Sequence, residues 1–175
     1  MNLDYFIASL PMLLPGHPPG ITLEAFRAAC AEQLAGRLAA AVQALLDDTD
    51  CDHPFVRAWN AHETRLRNAV ARRRAARLKQ DPQRWLRPDD AGDLRVEHGV
   101  AAAFELPDPL QRERALARLR WQAVEALQGI QPLTPEVLLA YAVKLRLLAR
   151  WTLLDDALGR QRLEALLSAQ PSPRP

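Results

Sequence analysis

Residues 134–154, TPEVLLAYAVKLRLLARWTLL, are long enough to cross a small domain as one helix and are apolar around most of their circumference. The segment begins with helix-start signals. Thr134 is a good N-cap, Pro135 has the φ angle of a first helical position, and Glu136 puts negative charge at the positive end of the dipole. Two apolar faces leave a narrow polar strip between them. That strip consists of Glu136, Val143, Arg146 and Arg150. The segment therefore predicts a buried central helix that needs neighbours on two sides.

The same segment is not predicted to span a membrane. A transmembrane helix needs about 20 consecutive, mostly apolar residues. Here Lys144, Arg146 and Arg150 interrupt the apolar run, and charged side chains are costly at membrane depth. The segment is therefore expected to be buried inside a protein core.

The composition of the 175-residue chain predicts an all-α fold. Apolar residues make up 49% of the chain, alanine, leucine and arginine are frequent, and β-branched residues are few. A chain of this length can bury about two thirds of its unfolded surface, which is enough for a stable core. We predict one compact, helical bundle-like domain over residues 1–170, with five to seven helices around the buried central helix, and a disordered tail at 171–175.

Periodicity and start signals place the main helices. The predicted core helices cover about residues 23–46, 54–79, 108–128 and 134–154. Asp52 is predicted to cap the helix that begins at Pro54. Residues 1–20 contain an apolar stretch, Leu3–Leu10, that suits a helix or a strand, and then a connection rich in proline and glycine.

The segment between the second and third core helices is predicted to be less regular. Asp81 and Pro82 end the second core helix, and Trp85 with Leu86 is predicted to return to the core in a single turn. A short helix is predicted over about residues 94–104.

Charge and cysteine content favour a cytoplasmic protein. The formal net charge of +2 requires neither nucleic acid nor anionic lipid as a partner. Cys30 and Cys51 lack CxxC spacing and are predicted to be reduced thiols, with a disulfide as the alternative. The N-terminal sequence MNLDYFIASLPMLLPG lacks the basic leader and cleavage site of a secretory signal.

No catalytic, metal-binding or cofactor-binding residue is predicted. His62 and Glu63 are adjacent, but the second histidine of a zinc-protease helix is missing. His53 is interpreted as a loop residue. Serines lack a nucleophile-elbow context, and there is no glycine-rich phosphate loop. We therefore expect a protein that is not an enzyme. An enzyme that uses His53, His62 and Glu63 is a third hypothesis, and it predicts bound metal.

The basic run RLRNAVARRRAARLK at residues 65–79 is the strongest surface feature. Its arginines spread over more than one helical face and repel each other unless acidic groups lie nearby. Three interpretations follow. The arginines pair internally with the acidic loops at 47–52 and 89–93 and with Glu97, or they bind an acidic protein surface, or they bind nucleic acid or lipid headgroups. Nucleic acid is unlikely as the partner, since no aromatic residue lies within the run.

Four segments resemble a bacterial family of unknown function whose genes lie among those of V/A-type ATP synthases. They are YFIASLPMLLPGHPPGITLEAF, FVRAWNAHETRLRNAVARRRAARL, RLRWQAVEAL and LLAYAVKLRLLARW. Two parts of them, ETRLRNAVARRRA and LLAYAVKLRLLARW, are also loosely similar to helices of the central-stalk C subunit. The first matches the C-subunit pattern at Glu63, Asn68, Arg72 and Arg73. The second departs from it at Lys144 and Leu145.

The resemblance implies a non-enzymatic accessory or central-stalk-like component of a bacterial V/A-type ATPase, which acts by protein–protein contact in assembly or rotor coupling during ion transport. The expected partners are ATPase subunits with an acidic surface. The membrane would be reached only indirectly, as a cytoplasmic protein peripheral to the inner membrane through the complex. No cofactor is implied. The predicted partner-binding residues are Glu63, Asn68, Arg72, Arg73, Arg74 and Arg77. A nucleic-acid-binding helical module that uses the arginine-rich helix is the alternative.

Overall fold

The computed structural model describes residues 3–88, 92–152, 154 and 156–168. Within these residues the chain forms eight α-helices and one 3-10 turn, without a strand. The helices are α1 (Leu3–Ser9), α2 (Leu23–Gln33), α3 (Gly36–Asp47), α4 (Pro54–Leu78), α5 (Leu94–Glu105), α6 (Pro109–Gln128), α7 (Pro135–Thr152) and α8 (Asp156–Ser168), and the 3-10 turn is Gln83–Trp85. The prediction of an all-α fold is confirmed. The predicted tail at 171–175 lies outside the described residues.

The helix predicted over residues 23–46 is divided into α2 and α3. The backbone is extended at Leu34 and Ala35, with ψ angles of 150° and 166°. Gly36 follows at a φ of +62°, a left-handed conformation that glycine adopts without a steric penalty. Within the described residues, this break gives eight helices where five to seven were predicted, and the N-terminal segment is one of these helices.

The start of α4 differs from the prediction in its capping residue. His53, rather than Asp52, caps the helix, because its Nδ1 atom accepts a hydrogen bond from the backbone N–H of Phe55 at 3.2 Å. Pro54 occupies the first helical turn. Asp52 instead pairs with Arg57 at the surface.

The central helix α7 is buried as predicted. It packs against α1, α2, α3 and α6. Val143, which the sequence pattern placed on the polar strip, is fully buried, because neighbouring helices cover that side as well. The polar strip is therefore narrower than predicted, and its exposed residues are Glu136 and Arg150. Among the described residues, no helix combines the length and apolar character that crossing a membrane requires.

Buried side chains form two hydrophobic clusters, which we call the large core and the small core. The large core joins α1, α2, α3, the first half of α4, the end of α6 and most of α7, with Trp59 and Phe26 among its largest fully buried side chains. The small core joins the second half of α4, α5 and the first half of α6. Its buried residues are Leu66, Ala69, Val96, Val100, Ala103, Phe104 and Leu116. Helices α4 and α6 therefore run through both cores.

A close contact brings α5 against α6 in the small core. A Cβ atom added to Gly99 would lie 2.6 Å from Cδ2 of Leu119. Glycine at position 99 thus leaves room for the side chain of Leu119, which would have to shift if a larger residue stood there.

The 3-10 turn occurs where a single turn was predicted, but it does not return Trp85 to the core. Trp85 is 42% exposed, and the guanidinium of Arg84 lies over its ring at 4.7 Å. Asn68 anchors Arg87, two residues after the 3-10 turn, to α4. The side chain of Asn68 donates to the carbonyl of Arg87 at 2.8 Å and accepts from the N–H of Arg87 at 2.9 Å. The anchored turn leaves the indole at the surface beside α4.

Both cysteines are free thiols, as predicted. Cys30 is buried within the large core, and burial raises the pKa of its thiol to about 12. A thiol that remains protonated at neutral pH is a poor nucleophile, so Cys30 behaves as a small apolar side chain.

Candidate functional site

The arginines in the second half of α4 point in three directions, as the helical repeat requires. Arg72 and Arg77 contact α5. Arg73 is exposed and has no described partner. Arg67 and Arg74 lie on a third face, which borders an open groove. The basic run is therefore not one continuous surface.

The arginines that face α5 are used in packing. Arg72 pairs with Glu97, as the internal-pairing interpretation predicted. Arg77 donates a hydrogen bond to the carbonyl of Phe104, and its guanidinium lies 5.1 Å from the centre of that ring. Arg112 of α6 also lies over the Phe104 ring, at 5.0 Å. These cations cover an aromatic side chain of the small core and contribute cation–π attraction.

Glu63 and Asn68 are buried rather than exposed. Glu63 is 7% exposed, and its carboxylate accepts a hydrogen bond from Nε of Arg120 at 2.8 Å. Nε of Arg67 lies 3.7 Å from the other oxygen of Glu63. Asn68 is 2% exposed and holds the 3-10 turn. Both residues therefore position other groups and do not themselves form part of a surface.

The acidic loop before α4 contributes to the same network. Asp48 has a left-handed backbone at the end of α3, and its two oxygens accept hydrogen bonds from Arg67 at 3.3 Å and Arg146 at 3.2 Å. Burial alone would raise the pKa of Asp48, but the two guanidiniums outweigh it and hold the pKa below its usual value. Asp93, in the other predicted acidic loop, caps α5, whereas 89–91 lie outside the described residues.

The groove lies between the second half of α4 and the first half of α6. It has a volume of about 550 Å³. Its lining comes from α4, the 3-10 turn, α6 and the last turn of α7. The lining residues are Arg67, Val70, Ala71, Arg74, Ala75, Leu78, Trp85, Glu113, Leu116, Arg120 and Arg150. The groove thus combines an apolar floor with a cationic border.

Four arginines and one carboxylate line this groove. Arg120 and Arg67 are held by Glu63, as described above. Nη2 of Arg150 lies 3.5 Å from Glu113, in an exposed pair. Arg74 is exposed and has no ion-pair or hydrogen-bond partner within the part of the chain that the structure describes. The groove therefore carries excess positive charge and is suited to bind an anionic group.

Sequence reasoning identified only part of this site. It selected Arg74 but not Arg120 or Arg150, because these belong to helices that approach α4 only in the folded chain. One local signal was available: the α4 lining residues recur at helical spacing, so they form one face of that helix. Those residues are Arg67, Val70, Ala71, Arg74, Ala75 and Leu78.

The histidines proposed for an enzyme have other surroundings. His53 caps α4. His62 is half-buried and stacks on Trp59, with 5.9 Å between ring centres. Burial lowers the pKa of His62. Within the described residues, no group of three or more side chains is arranged to hold a metal ion.

The fold and the groove define a small all-α protein with two cores and an arginine-lined surface groove. A protein-family model matches residues 37–169, which span α3 to α8 and include every lining residue of the groove. The chain therefore belongs to the family described as "Protein of unknown function (DUF2764)". No match was found among curated proteins or among solved structures.

Proposed function

We propose that this protein is a non-enzymatic accessory or central-stalk-like component of a bacterial V/A-type ATPase. It acts by protein–protein contact, in assembly or in coupling of the rotor, and it reaches the membrane only through its partners. The proposal of this complex is supported by the resemblance of four sequence segments to proteins encoded beside V/A-type ATP synthases. The arginine-lined groove provides a surface on which an acidic subunit would bind.

The observation that supports the proposal most directly is the uncompensated charge at this surface. Arg74 is exposed at the groove without a described partner, and Arg73 is exposed beside it. An exposed charge that is not used within the fold remains available to a partner, and complementary charge increases both the rate and the specificity of association. The predicted partner-binding patch thus reduces to Arg73 and Arg74, since its other members have internal partners.

The proposal is tested by affinity capture of the tagged protein from a native cell extract at low salt, with identification of the captured proteins by mass spectrometry. Subunits of the V/A-type ATPase are expected in stoichiometric amounts. The double variant Arg73→Glu/Arg74→Glu is expected to lose them, because reversed charges repel an acidic surface. Arg72 is left unchanged, since its reversal would also break the pair with Glu97.

A matched control reverses the same amount of charge elsewhere. Arg160 and Arg162 are exposed on α8, so the variant Arg160→Glu/Arg162→Glu should capture the ATPase subunits as the wild type does. Capture without any ATPase subunit would contradict the proposed function. If both double variants lose the ATPase subunits equally, the binding surface is not on α4, and the loss reflects the change in net charge.

Nucleic-acid binding is the alternative function for the same arginines. It predicts that an oligonucleotide binds the purified protein and that the affinity falls steeply with salt, because phosphate contacts release condensed counterions. A gel-shift titration over a range of salt concentrations separates the two functions. We expect no retained complex at physiological ionic strength.

A further inference from the structure

We infer that the groove between α4 and α6 receives one face of an acidic amphipathic helix from a partner protein. This inference rests on the proposed function in one respect, namely that the protein acts by protein–protein contact. It goes further by assigning the binding surface to the groove and by specifying the kind of segment that binds there.

The shape of the groove fits a short helix. The face of α4 from Arg67 to Leu78 extends about 16 Å, or about three turns, at the usual helical rise. Small side chains form the middle of this face, at Val70, Ala71 and Ala75. These small residues permit a partner helix to pack along α4, because the side chains of the partner helix can fill the space beside the small side chains of α4.

The apolar groups of the groove are accessible. Leu78 is 66% exposed and Trp85 is 42% exposed, and both line the groove beside the buried Leu116. Burial of such side chains is a main source of binding energy, and tryptophan and arginine are the residues most enriched at energetic hot spots of interfaces. The apolar face of the incoming helix is therefore expected to cover Leu78 and Trp85.

The cationic border requires acidic residues on that helix. Among the described residues, Arg74 offers a guanidinium without a partner, and Arg150 pairs with Glu113 in an exposed contact. A partner carboxylate at either position forms a charge-assisted hydrogen bond, which is stronger than a neutral one. Arg67 and Arg120 are already fixed by Glu63, so they lose little side-chain freedom on binding.

A small polar ligand fits this groove less well. Such sites present a few placed polar groups inside a concave pocket. Among the described residues, Trp59, His62 and Arg112 have buried side-chain atoms that lack a hydrogen-bond partner. None of these residues lines the groove. Its polar groups are the arginines of the border and Glu113, which suits a segment that lies across the surface.

Helix α8 of a second copy is not the expected occupant. It exposes Leu163, Leu166 and Leu167, so it has the apolar side chains that the groove needs. However, its sequence balances Arg160 and Arg162 with Asp156 and Glu164, so this helix lacks the net negative charge that the arginines of the groove favour. Charge complementarity therefore favours a partner segment over self-association.

The test uses the full-length protein and three synthetic peptides of about 15 residues, a length at which an isolated helix begins to be stable in water. The first has leucines at helical spacing along one face, with glutamates beside them. The second replaces each glutamate by lysine, and the third has the composition of the first in scrambled order. Binding is followed by the anisotropy of a dye on the peptide. Only the first peptide is expected to bind.

Matched variants locate the binding site. The variants Arg74→Glu and Leu78→Asp are each expected to weaken binding of the acidic peptide by at least about tenfold. Arg160→Glu, at an exposed position of α8 outside the groove lining, is expected to leave binding unchanged. Circular dichroism and thermal unfolding establish that each variant is folded, so that a loss of binding is a loss of contact.

A second measurement does not depend on any variant. In the proton–nitrogen spectrum of the wild-type protein, the indole resonance of Trp85 should shift on addition of the acidic peptide. The indole of Trp59, which is 1% exposed in the large core, should not shift. A shift of neither resonance would overturn the inference even if the peptide associates elsewhere.

Several results contradict the groove assignment. One is equal binding of the lysine or scrambled peptide, and another is an equal effect of Arg160→Glu and Arg74→Glu. Displacement of the peptide by a second copy of the chain, or binding of a single-stranded oligonucleotide in its place, also contradicts it. Absence of binding up to about 1 mM peptide also contradicts it. The two proposals fail separately: capture of ATPase subunits unaffected by Arg74→Glu contradicts only the groove, and peptide binding without ATPase capture contradicts only the proposed complex.

Discussion

The large core and the small core share α4 and α6, yet they are stabilised differently. The large core surrounds α7, whose side chains Leu138, Leu139 and Leu145 are fully buried among apolar neighbours. In the small core, by contrast, the guanidiniums of Arg77 and Arg112 cover the ring of Phe104. One part of the molecule is closed and apolar, and the other leaves arginine side chains and an open groove at its border.

We expect this difference to separate stability from recognition within one short chain. The stem of an arginine side chain packs on apolar groups while its guanidinium remains accessible. The small core, which arginine side chains cover, therefore presents positive charge to the solvent. We expect the large core to set the free energy of unfolding and the border of the small core to set what the protein binds.

Truncation of one leucine in each core gives the largest expected effect. Leu139→Ala should lower the free energy of unfolding by about 3–5 kcal/mol, because it leaves a sealed cavity. Leu116→Ala should cost about 2 kcal/mol, the low end for such changes, because the vacated space opens into the groove and can fill with water. Urea denaturation of both variants measures the difference.

Leu163→Ala, at an exposed position of α8, is the control and should change stability by less than about 0.5 kcal/mol. Equal losses for Leu139→Ala and Leu116→Ala would mean that the two cores do not differ in how tightly they are closed.

The second effect concerns Glu63, which lies on α4 between the two cores. Glu63→Gln keeps the shape of the side chain but removes the carboxylate that pairs with Arg120 and leaves Arg67 with Asp48 as its acidic partner. We expect a loss of about 1–3 kcal/mol, the usual cost when a buried polar group loses its partner. The loss should depend little on salt, because a buried pair is poorly screened.

Glu113→Gln is the matched control, since it neutralises the exposed pair with Arg150. Exposed pairs contribute about 0–1 kcal/mol. A cost for Glu113→Gln as large as that for Glu63→Gln would argue against a special function for the carboxylate between the cores.

The sequence predicted the large core better than the small one. α7 was predictable because its start signals and its apolar periodicity agree. The break between α2 and α3 was not, since Leu34 and Ala35 both suit a helix and only the glycine at position 36 marks the change. Burial of Val143 depends on helices that are distant in the sequence, so periodicity alone assigned it to the wrong face.

The groove was predictable only where it belongs to α4. The basic run identified the helix, and helical spacing separates Arg74 from Arg72 and Arg73. Contributions from Arg120 and Arg150 arise through packing of α6 and α7, which no local pattern encodes. The matches of Glu63 and Asn68 to a family pattern did not reveal that both side chains face inward.

The third effect is a dependence of stability on pH. Burial lowers the pKa of His62 from its ordinary value of 6.5, so the unfolded chain takes up a proton before the folded protein does as the pH falls. The contribution of neutral His62 to the free energy of unfolding is fully present above pH 6.5. It is lost as the pH decreases through the lowered pKa of His62. Each titrating group can contribute at most about 1.4 kcal/mol per pH unit.

We expect urea denaturation to show lower stability at about pH 5.5 than at about pH 7.5, and His62→Gln to reduce that decrease. Glu63 and Asp93, which attract the proton, and Arg120 and Arg65, which repel it, also act on His62. Glu63→Gln with His62 intact should therefore lower the pKa of His62 further and change the slope. His98→Gln, at an exposed position, should keep the wild-type dependence.

The smallest effect separates packed arginines from free ones on α4. Arg72→Met removes the pair with Glu97 but keeps an unbranched side chain, and we expect a loss of about 0–1 kcal/mol because both partners are partly exposed. Arg73→Met removes an unpaired charge from a crowded basic helix, so its stability should be unchanged or slightly higher. Thermal unfolding at low and high salt measures both, and the cost of Arg72→Met should shrink as salt screens the pair. If Arg73→Met is the more destabilising variant, the exposed arginines of this helix also support the small core, and their division into packing and binding groups must be abandoned.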